Sequence, residues 1–256
     1  MKLTENNYHG LKANMAYWSV SQFKLFKECE AKGLASAMGD YTRPETDALL
    51  IGSYVDAYFS VTLESFKEWH PEIFNSRTGE LKAQYQKADR AVQRASKDPL
   101  FMRMIEGEKQ KIITGKLFNV PWKAKVDVLN AERIVDIKFM KDMKPMSVNG
   151  DRVPFIDAWG YDIQGYVYQQ LVKQATGKEL PFYLAVITKE EIPDIDIIHI
   201  PTWRLNSAGE MIKYYIGKYD PIKKGRTPPE RCGKCDYCRA TKVLTKITEY
   251  EELLDE

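Results

Sequence analysis

Between Glu108 and Phe139 the spacing of apolar residues changes, and that change limits the folds open to this chain. Upstream they recur at roughly helical intervals. From Glu108 three short runs separated by turn-like breaks predict strands at Glu108–Lys116, Pro121–Leu129 and Arg133–Phe139, a β-meander. Alternation along the middle run puts Trp122, Ala124, Val126 and Val128 on one side and Lys123, Lys125, Asp127 and Leu129 on the other.

Helices are expected on both sides of this meander. In "YWSVSQFKLFKECEAKGLASAMG", Ser19 or Ser21 can cap a helix whose apolar positions Phe23, Leu25, Phe26, Cys29, Leu34 and Met38 form one stripe, and Gly39 can end it. An amphipathic segment follows from about Ala48 to Trp69. A third helix runs from Ala83 to about Ile105, kinked at Pro99. After the meander come a loop, Lys141–Asp151, and a helix from Ile156 to Thr176 that stops at Gly177. Two further strands, "PFYLAVITKE" and "DIDIIHIPTW", precede a long helix capped at Asn206 or Ser207 and running to about Tyr219. With no internal repeat or low-complexity linker, the order predicts one domain over residues 1–256. It is α/β with a mixed sheet, a helical part at 1–105 and a Cys-containing basic tail at 220–256.

The 256 residues suffice for one large core, and 44% hydrophobic with 29% charged residues exclude a disordered or collagen-like chain. No apolar run is long enough to span a membrane, and MKLTENNYHG lacks the apolar stretch of a secretory signal, so a cytoplasmic protein is expected. With 38 basic against 36 acidic residues, the formal charge of +2 argues against nucleic-acid binding by bulk electrostatics alone. A local excess sits between Ile216 and Lys246, where nine basic residues face three acidic ones, which suits contact with phosphates or a solvated surface. Glu249–Glu256 then forms an acidic, fraying end.

The densest chemical signal is Asp127 on one strand followed by Asp136-Ile137-Lys138 on the next. A tight turn brings the two segments together, and alternation puts Asp136 and Lys138 on one side with Ile137 behind. Crowded carboxylates repel, a conflict that a hard divalent cation removes, and Mg²⁺ favours one or two carboxylates together with phosphate oxygens. The Lys138 ammonium could orient a water or stabilise charge on a phosphate. Lys125, two residues before Asp127, should point to the same side and touch phosphate, or be an ordinary surface lysine. ATP-binding, zinc-protease and serine-hydrolase motifs are absent, and His9, His70 and His199 are scattered.

This order of residues resembles the PD-(D/E)XK nuclease superfamily, and within it the RecB-like nucleases and the RecE-type phage recombination exonucleases. The likeness spans roughly residues 17–240. It rests on Asp127 in "KAKVDVL", Asp136–Lys138 in "IVDIK", Gly52 and Asp56 in "IGSYVDAYF", and Gln164 and Tyr168 in "YDIQGYVYQQL". Asp56 stands where many relatives carry His, and Val126-Asp127 replaces Pro-Asp. The resemblance implies a restriction-endonuclease-like core with a central mixed sheet flanked by helices. It implies catalysis by Asp127, Asp136 and Lys138, and Mg²⁺, with Mn²⁺ as a substitute, held by Asp56, Asp127, Asp136 and the Ile137 carbonyl. Gln164 and Tyr168, four apart on one helical face, would help position the DNA strand, or be a solvated Gln beside a core Tyr.

Cys232, Cys235 and Cys238 are spaced C-x₂-C-x₂-C, and with Cys29 they supply four thiolates, enough for Zn²⁺ or a [4Fe–4S] cluster. The layout is similar to the iron–sulfur nucleases of the AddB and CRISPR-associated types, with one Cys before the core and three after it, although those usually have a longer gap before the last Cys. That likeness ranks iron–sulfur ahead of zinc. Cys29 could otherwise be a small buried hydrophobe.

The expected function is a Mg²⁺-dependent DNA exonuclease that digests linear double-stranded DNA ends. By resemblance to the phage recombination enzymes, it would act 5′→3′ as a homo-oligomer and leave 3′ overhangs for a single-strand annealing protein. The alternatives are an iron–sulfur nuclease of the CRISPR-adaptation or repair type and a non-catalytic DNA-binding module.

Overall fold

In a computed structural model, which describes residues 1–44, 46–148, 150–247 and 249–250, a five-stranded mixed sheet lies between two groups of helices. Among the described residues seven α-helices precede the sheet: α1 (Leu11–Ala16), α2 (Val20–Glu28), α3 (Glu30–Met38), α4 (Asp47–Phe59), α5 (Leu63–Trp69), α6 (Ala83–Ser96) and α7 (Pro99–Met104). The meander is β1 (Glu108–Leu117), β2 (Val120–Leu129) and β3 (Ile134–Met140). A hairpin of β4 (Met146–Val148) and β5 (Asp151–Val153) leads into α8 (Phe155–Trp159) and α9 (Tyr161–Thr176). Then follow β6 (Phe182–Thr188), β7 (Ile195–Ile200), α10 (Thr202–Lys223) and α11 (Asp236–Ala240). The sheet order is β1-β2-β3-β6-β7, antiparallel except where β3 pairs with β6 in parallel. The acidic end expected to fray falls, from residue 251 on, outside the described residues.

Alternation divides the core. On β3, Ile134 and Met140 join Trp18, Phe23, Trp122 and residues of α9 and α10 on one side of the sheet. Val135 and Ile137 join Tyr54, Val55, Ala88, Val92 and Phe101 of α4, α6 and α7 on the other. Helix α9 seats closely because Gly165 faces Phe182 and Leu205: a Cβ there would lie 2.5 Å from the Phe182 ring.

Several elements differ from their sequence expectation, each for a local reason. The first long helix is two, broken at Cys29, whose extended backbone (φ −164°, ψ 120°) ends α2 and begins α3. Ser19 caps α2 by accepting from Gln22 N–H. The 48–69 segment breaks after Phe59, where Val61 takes a left-handed φ of 58°. Pro99 opens a new helix rather than kinking one, with Asp98 accepting from Phe101 N–H as its cap. Gly160, at φ 61°, separates α8 from α9. The expected loop at 141–151 contains β4 and the start of β5. The long helix starts at Thr202, earlier than the expected cap, so Asn206 and Ser207 lie inside it, and it continues through Pro221 to Lys223.

Two further corrections concern β2. The expected alternation holds as far as Val126 and then reverses, since Val128 packs in the α4–α6 core opposite Val135. Gln110, the residue of β1 that faces this point, has a left-handed φ of 52°. Lys123 is not a surface residue either. It is 2% exposed, and its Nζ donates to Tyr8 O at 2.5 Å and Asn14 Oδ1 at 2.7 Å.

Candidate active site

Strands β2 and β3 pair only at Val128–Val135 and Leu129–Ile134 and then separate. The Asp127 carboxylate fills the opening. Its Oδ2 accepts from Ile137 N–H at 2.9 Å, and its Oδ1 accepts from Gln110 Nε2 at 3.3 Å. Asp136 points to the same place from β3 and is fully buried. Its Oδ1 accepts from Gln164 Nε2 at 2.6 Å. Its Oδ2 lies 2.5 Å from Lys138 Nζ and has no other partner among the described residues.

The electrostatics of this opening favour the approach of a cation. Burial drives the Asp136 carboxyl up to about 7, with Asp127 adding repulsion and Lys138 opposing it. Asp56 on α4 feels the same groups: burial first, then the Asp127 charge, push its carboxyl well above the usual range. Burial works against the Lys138 ammonium, but Asp136 and Asp127 outweigh it and hold its pKa above the ordinary lysine value. Carboxylates in excess over one lysine leave net negative charge, with Asp136 buried and Asp56 and Asp127 partly exposed, and hard oxygen donors in excess suit a divalent cation. The chemistry of these side chains therefore fits a divalent cation, which Asp127 and Asp136, with Asp56 near them, could hold.

The remaining expected residues fall into distinct positions. Gln164 Nε2 donates to Tyr168 Oη at 3.0 Å as well as to Asp136, and Tyr168 Oη donates to Lys125 O at 3.0 Å. Tyr168 is buried, so it holds Gln164 and the β2 backbone rather than facing solvent. Lys125 pairs with Glu5 and is one of the cations acting on Asp56. Gly52 lies one turn before Asp56, and a Cβ there would meet no protein atom within 4 Å, so the space beside that carboxylate is open.

Three further residues stand at the site without a motif of their own. Gln110 faces Asp127 across the β1–β2 ladder, a position that drawing the meander's register would have exposed. The Tyr161 ring centre is 5.3 Å from Lys138 Nζ. Lys24 on α2 donates to Trp159 O at 2.6 Å, and burial, together with the Lys138 charge, lowers its pKa to about 8. Beside Gln164 and Tyr168 a cavity of about 470 Å³ is lined by His9, Lys24, Arg43 and Lys123, among others.

The four cysteines form a second cluster away from this opening. Cys29 Sγ is 3.6 Å from Cys238 Sγ, Cys232 Sγ is 3.9 Å from Cys238 Sγ, and all four sulfurs lie within 4.8 Å of one another. A group of four thiols is a candidate metal site.

The fold, a mixed central sheet flanked by helices, is that of the PD-(D/E)XK nuclease class. Residues 19–241 match the family described as PDDEXK-like domain of unknown function (DUF3799), and the chain belongs to that family. Among solved structures it is similar to a protein of Eubacterium rectale provisionally designated an exonuclease, at 40% identity and TM-score 0.94, over 99% of this chain and 98% of that one. A search of curated proteins finds no match. No helix among the described residues is long and apolar enough to cross a membrane.

Proposed function

We propose that the protein is a Mg²⁺-dependent exonuclease acting on the ends of linear double-stranded DNA. The carrying observation is the meeting of Asp127, Asp136 and Lys138 where β2 and β3 separate, with Asp56 near enough to feel their charges. Asp127 and Asp136, with Asp56 and the Ile137 carbonyl, would hold the ion. When bound, Mg²⁺ supplies Lewis acidity toward the phosphate and toward the attacking water. Lys138, kept protonated by Asp136, presents positive charge where the scissile phosphate gains negative charge. Gln164 keeps the Asp136 carboxylate oriented, and Tyr168 in turn keeps Gln164 in place. The cavity lined by Lys24, Arg43 and His9 offers cationic and polar groups next to the opening, suited to a phosphate backbone.

The finer assignment extends the likeness to recombination exonucleases. The protein would digest the 5′-ended strand as a homo-oligomer, leaving a 3′ overhang for an annealing protein, in a cytoplasmic and phage-type recombination setting. Linear duplex DNA labelled at either 5′ or 3′ ends, incubated with Mg²⁺ and wild type or Lys138→Ala, tests this. The expected result is release of 5′ label by wild type alone. Absence of metal-dependent digestion, or undiminished digestion by Lys138→Ala, would overturn the catalytic reading. Release from 3′ ends would overturn only the polarity.

A further inference from the structure

Cys29 and the Cys232–Cys238 turn come together from segments some 200 residues apart, and how closely they approach depends on what they hold. Four thiolates on one tetrahedral zinc sit about 2.3 Å from the metal and hence about 3.8 Å from each other. The cysteines of a [4Fe–4S] cube bind its outer corners, which holds their sulfurs about 6 Å apart. Here the two closest contacts are 3.6 and 3.9 Å, and no pair of the four exceeds 4.8 Å. The iron–sulfur cluster implied by the resemblance to AddB-type and CRISPR-associated nucleases does not fit this spacing. A disulfide does not fit either, because all four thiols are free and their separations are well beyond a covalent S–S bond. We propose that Cys29, Cys232, Cys235 and Cys238 bind a single structural Zn²⁺.

The surroundings are built for that role. The helical stripe breaks at Cys29, and the extended backbone there carries the thiol to the tail. Cys235 N–H donates to Cys232 Sγ at 3.3 Å and Cys238 N–H to Cys235 Sγ at 3.4 Å, the turn geometry of a C-x₂-C knuckle bound to metal. Ala31 N–H donates to Glu230 O, and Glu230 N–H to Glu30 Oε2, so the tail is fastened to the start of α3 just before its first cysteine. Lys32 completes the clasp through Asp236 at 2.8 Å. Zinc with four thiolates carries net charge of about −2, in line with the ligand charges of such sites. Arg231, Lys234 and Arg239 lie next to or between the three tail cysteines, so part of the basic excess of this tail stands beside the proposed metal site.

Metal analysis of the full chain, purified anaerobically from medium containing both iron and zinc, tests the assignment. One equivalent of zinc per chain without acid-labile sulfide is expected. Iron with sulfide, or no bound metal, would overturn it. Cys29→Ser should reduce bound zinc from one equivalent to a weakly held trace. Should that variant not fold, Co²⁺ exchanged into the wild type carries the same test. Four-thiolate binding gives strong thiolate-to-cobalt charge transfer and intense tetrahedral bands, and their absence overturns the proposal. None of these readouts uses DNA cleavage, so their failure leaves the nuclease reading untouched.

Discussion

The Asp127 carboxylate accepts the Ile137 backbone N–H at 2.9 Å, in place of the ladder bond that Val126, two residues beyond Val128–Val135 in the continued register, would have offered β3. One side chain thus both ends the pairing of the two strands and lies in the opening it creates. Asp136 and Lys138, flanking Ile137, are presented to the same opening by alternation alone. The fold delivers an acidic pair because of where the sheet stops pairing.

Asp127→Asn and Asp136→Asn should retain the fold, since an amide oxygen can still accept from Ile137 N–H or Gln164 Nε2. Each removes a charge from the proposed metal site. Cleavage of labelled linear duplex should fall by roughly 10²–10⁴, the usual range for losing a group that acts on charge in the transition state. Calorimetric titration with Mg²⁺ should show weakened binding in both variants. Either variant cleaving at near wild-type rate would contradict the assignment of that carboxylate.

Much of this arrangement was legible beforehand. The meander, the placement of Asp136 and Lys138 around Ile137, and the pairing of Gln164 with Tyr168 on one helical face follow from residue spacing of two and four. What was not legible depends on partners distant in sequence. Cys29 is no helix breaker by propensity, and its break serves thiols about 200 residues away. Lys123 reads as a surface residue of β2 until Tyr8 O and Asn14 Oδ1 supply acceptors for its buried ammonium. The reversal at Val128 coincides with a left-handed Gln110 on the facing strand, a conformation that composition does not announce.

Lys138→Met should destabilise the metal-free protein by roughly 2–3 kcal/mol, because the fully buried Asp136 loses its counter-charge. That is below the full figure for a buried pair, since a fifth of the Lys138 side chain, 21%, remains exposed. Saturating Mg²⁺ should recover part of the loss by neutralising Asp136 instead. Thermal melts with and without Mg²⁺ measure this. A variant that melts like wild type in both conditions would show that the pair is not coupled.

Gln164→Leu removes the donor that orients Asp136 while leaving every charge in place. Loss of such a support behind a metal ligand typically weakens binding 10- to 100-fold, and the lower end, about 10-fold, is expected because Lys138 still holds the other oxygen. Activity should be restored at raised Mg²⁺, which loss of Asp136 itself would not permit. Measuring cleavage against Mg²⁺ concentration separates the two: a reduced plateau with an unchanged midpoint would rule out a positioning role.

Lys223, 4% exposed, donates to Tyr17 O at 2.8 Å and Gln22 Oε1 at 2.9 Å, and burial, with repulsion from Lys123, lowers its pKa to about 7. Between about 7 and the ordinary lysine value the unfolded chain binds this proton and the folded chain does not. Stability must therefore rise with pH across that window, and the cost of the buried charge is fully present below about 7. Lys123, lowered to about 8 by burial, acts in the same direction and stays in place in a Lys223 variant. Lys223→Met should lose the two hydrogen bonds at every pH but be spared the penalty in acid. Its stability relative to wild type should thus be best near pH 6 and worsen steadily toward pH 10. Urea melts of both proteins at closely spaced pH values give the difference directly, and a difference that stays flat from pH 6 to 10 would show that Lys223 keeps an ordinary proton affinity in the folded state.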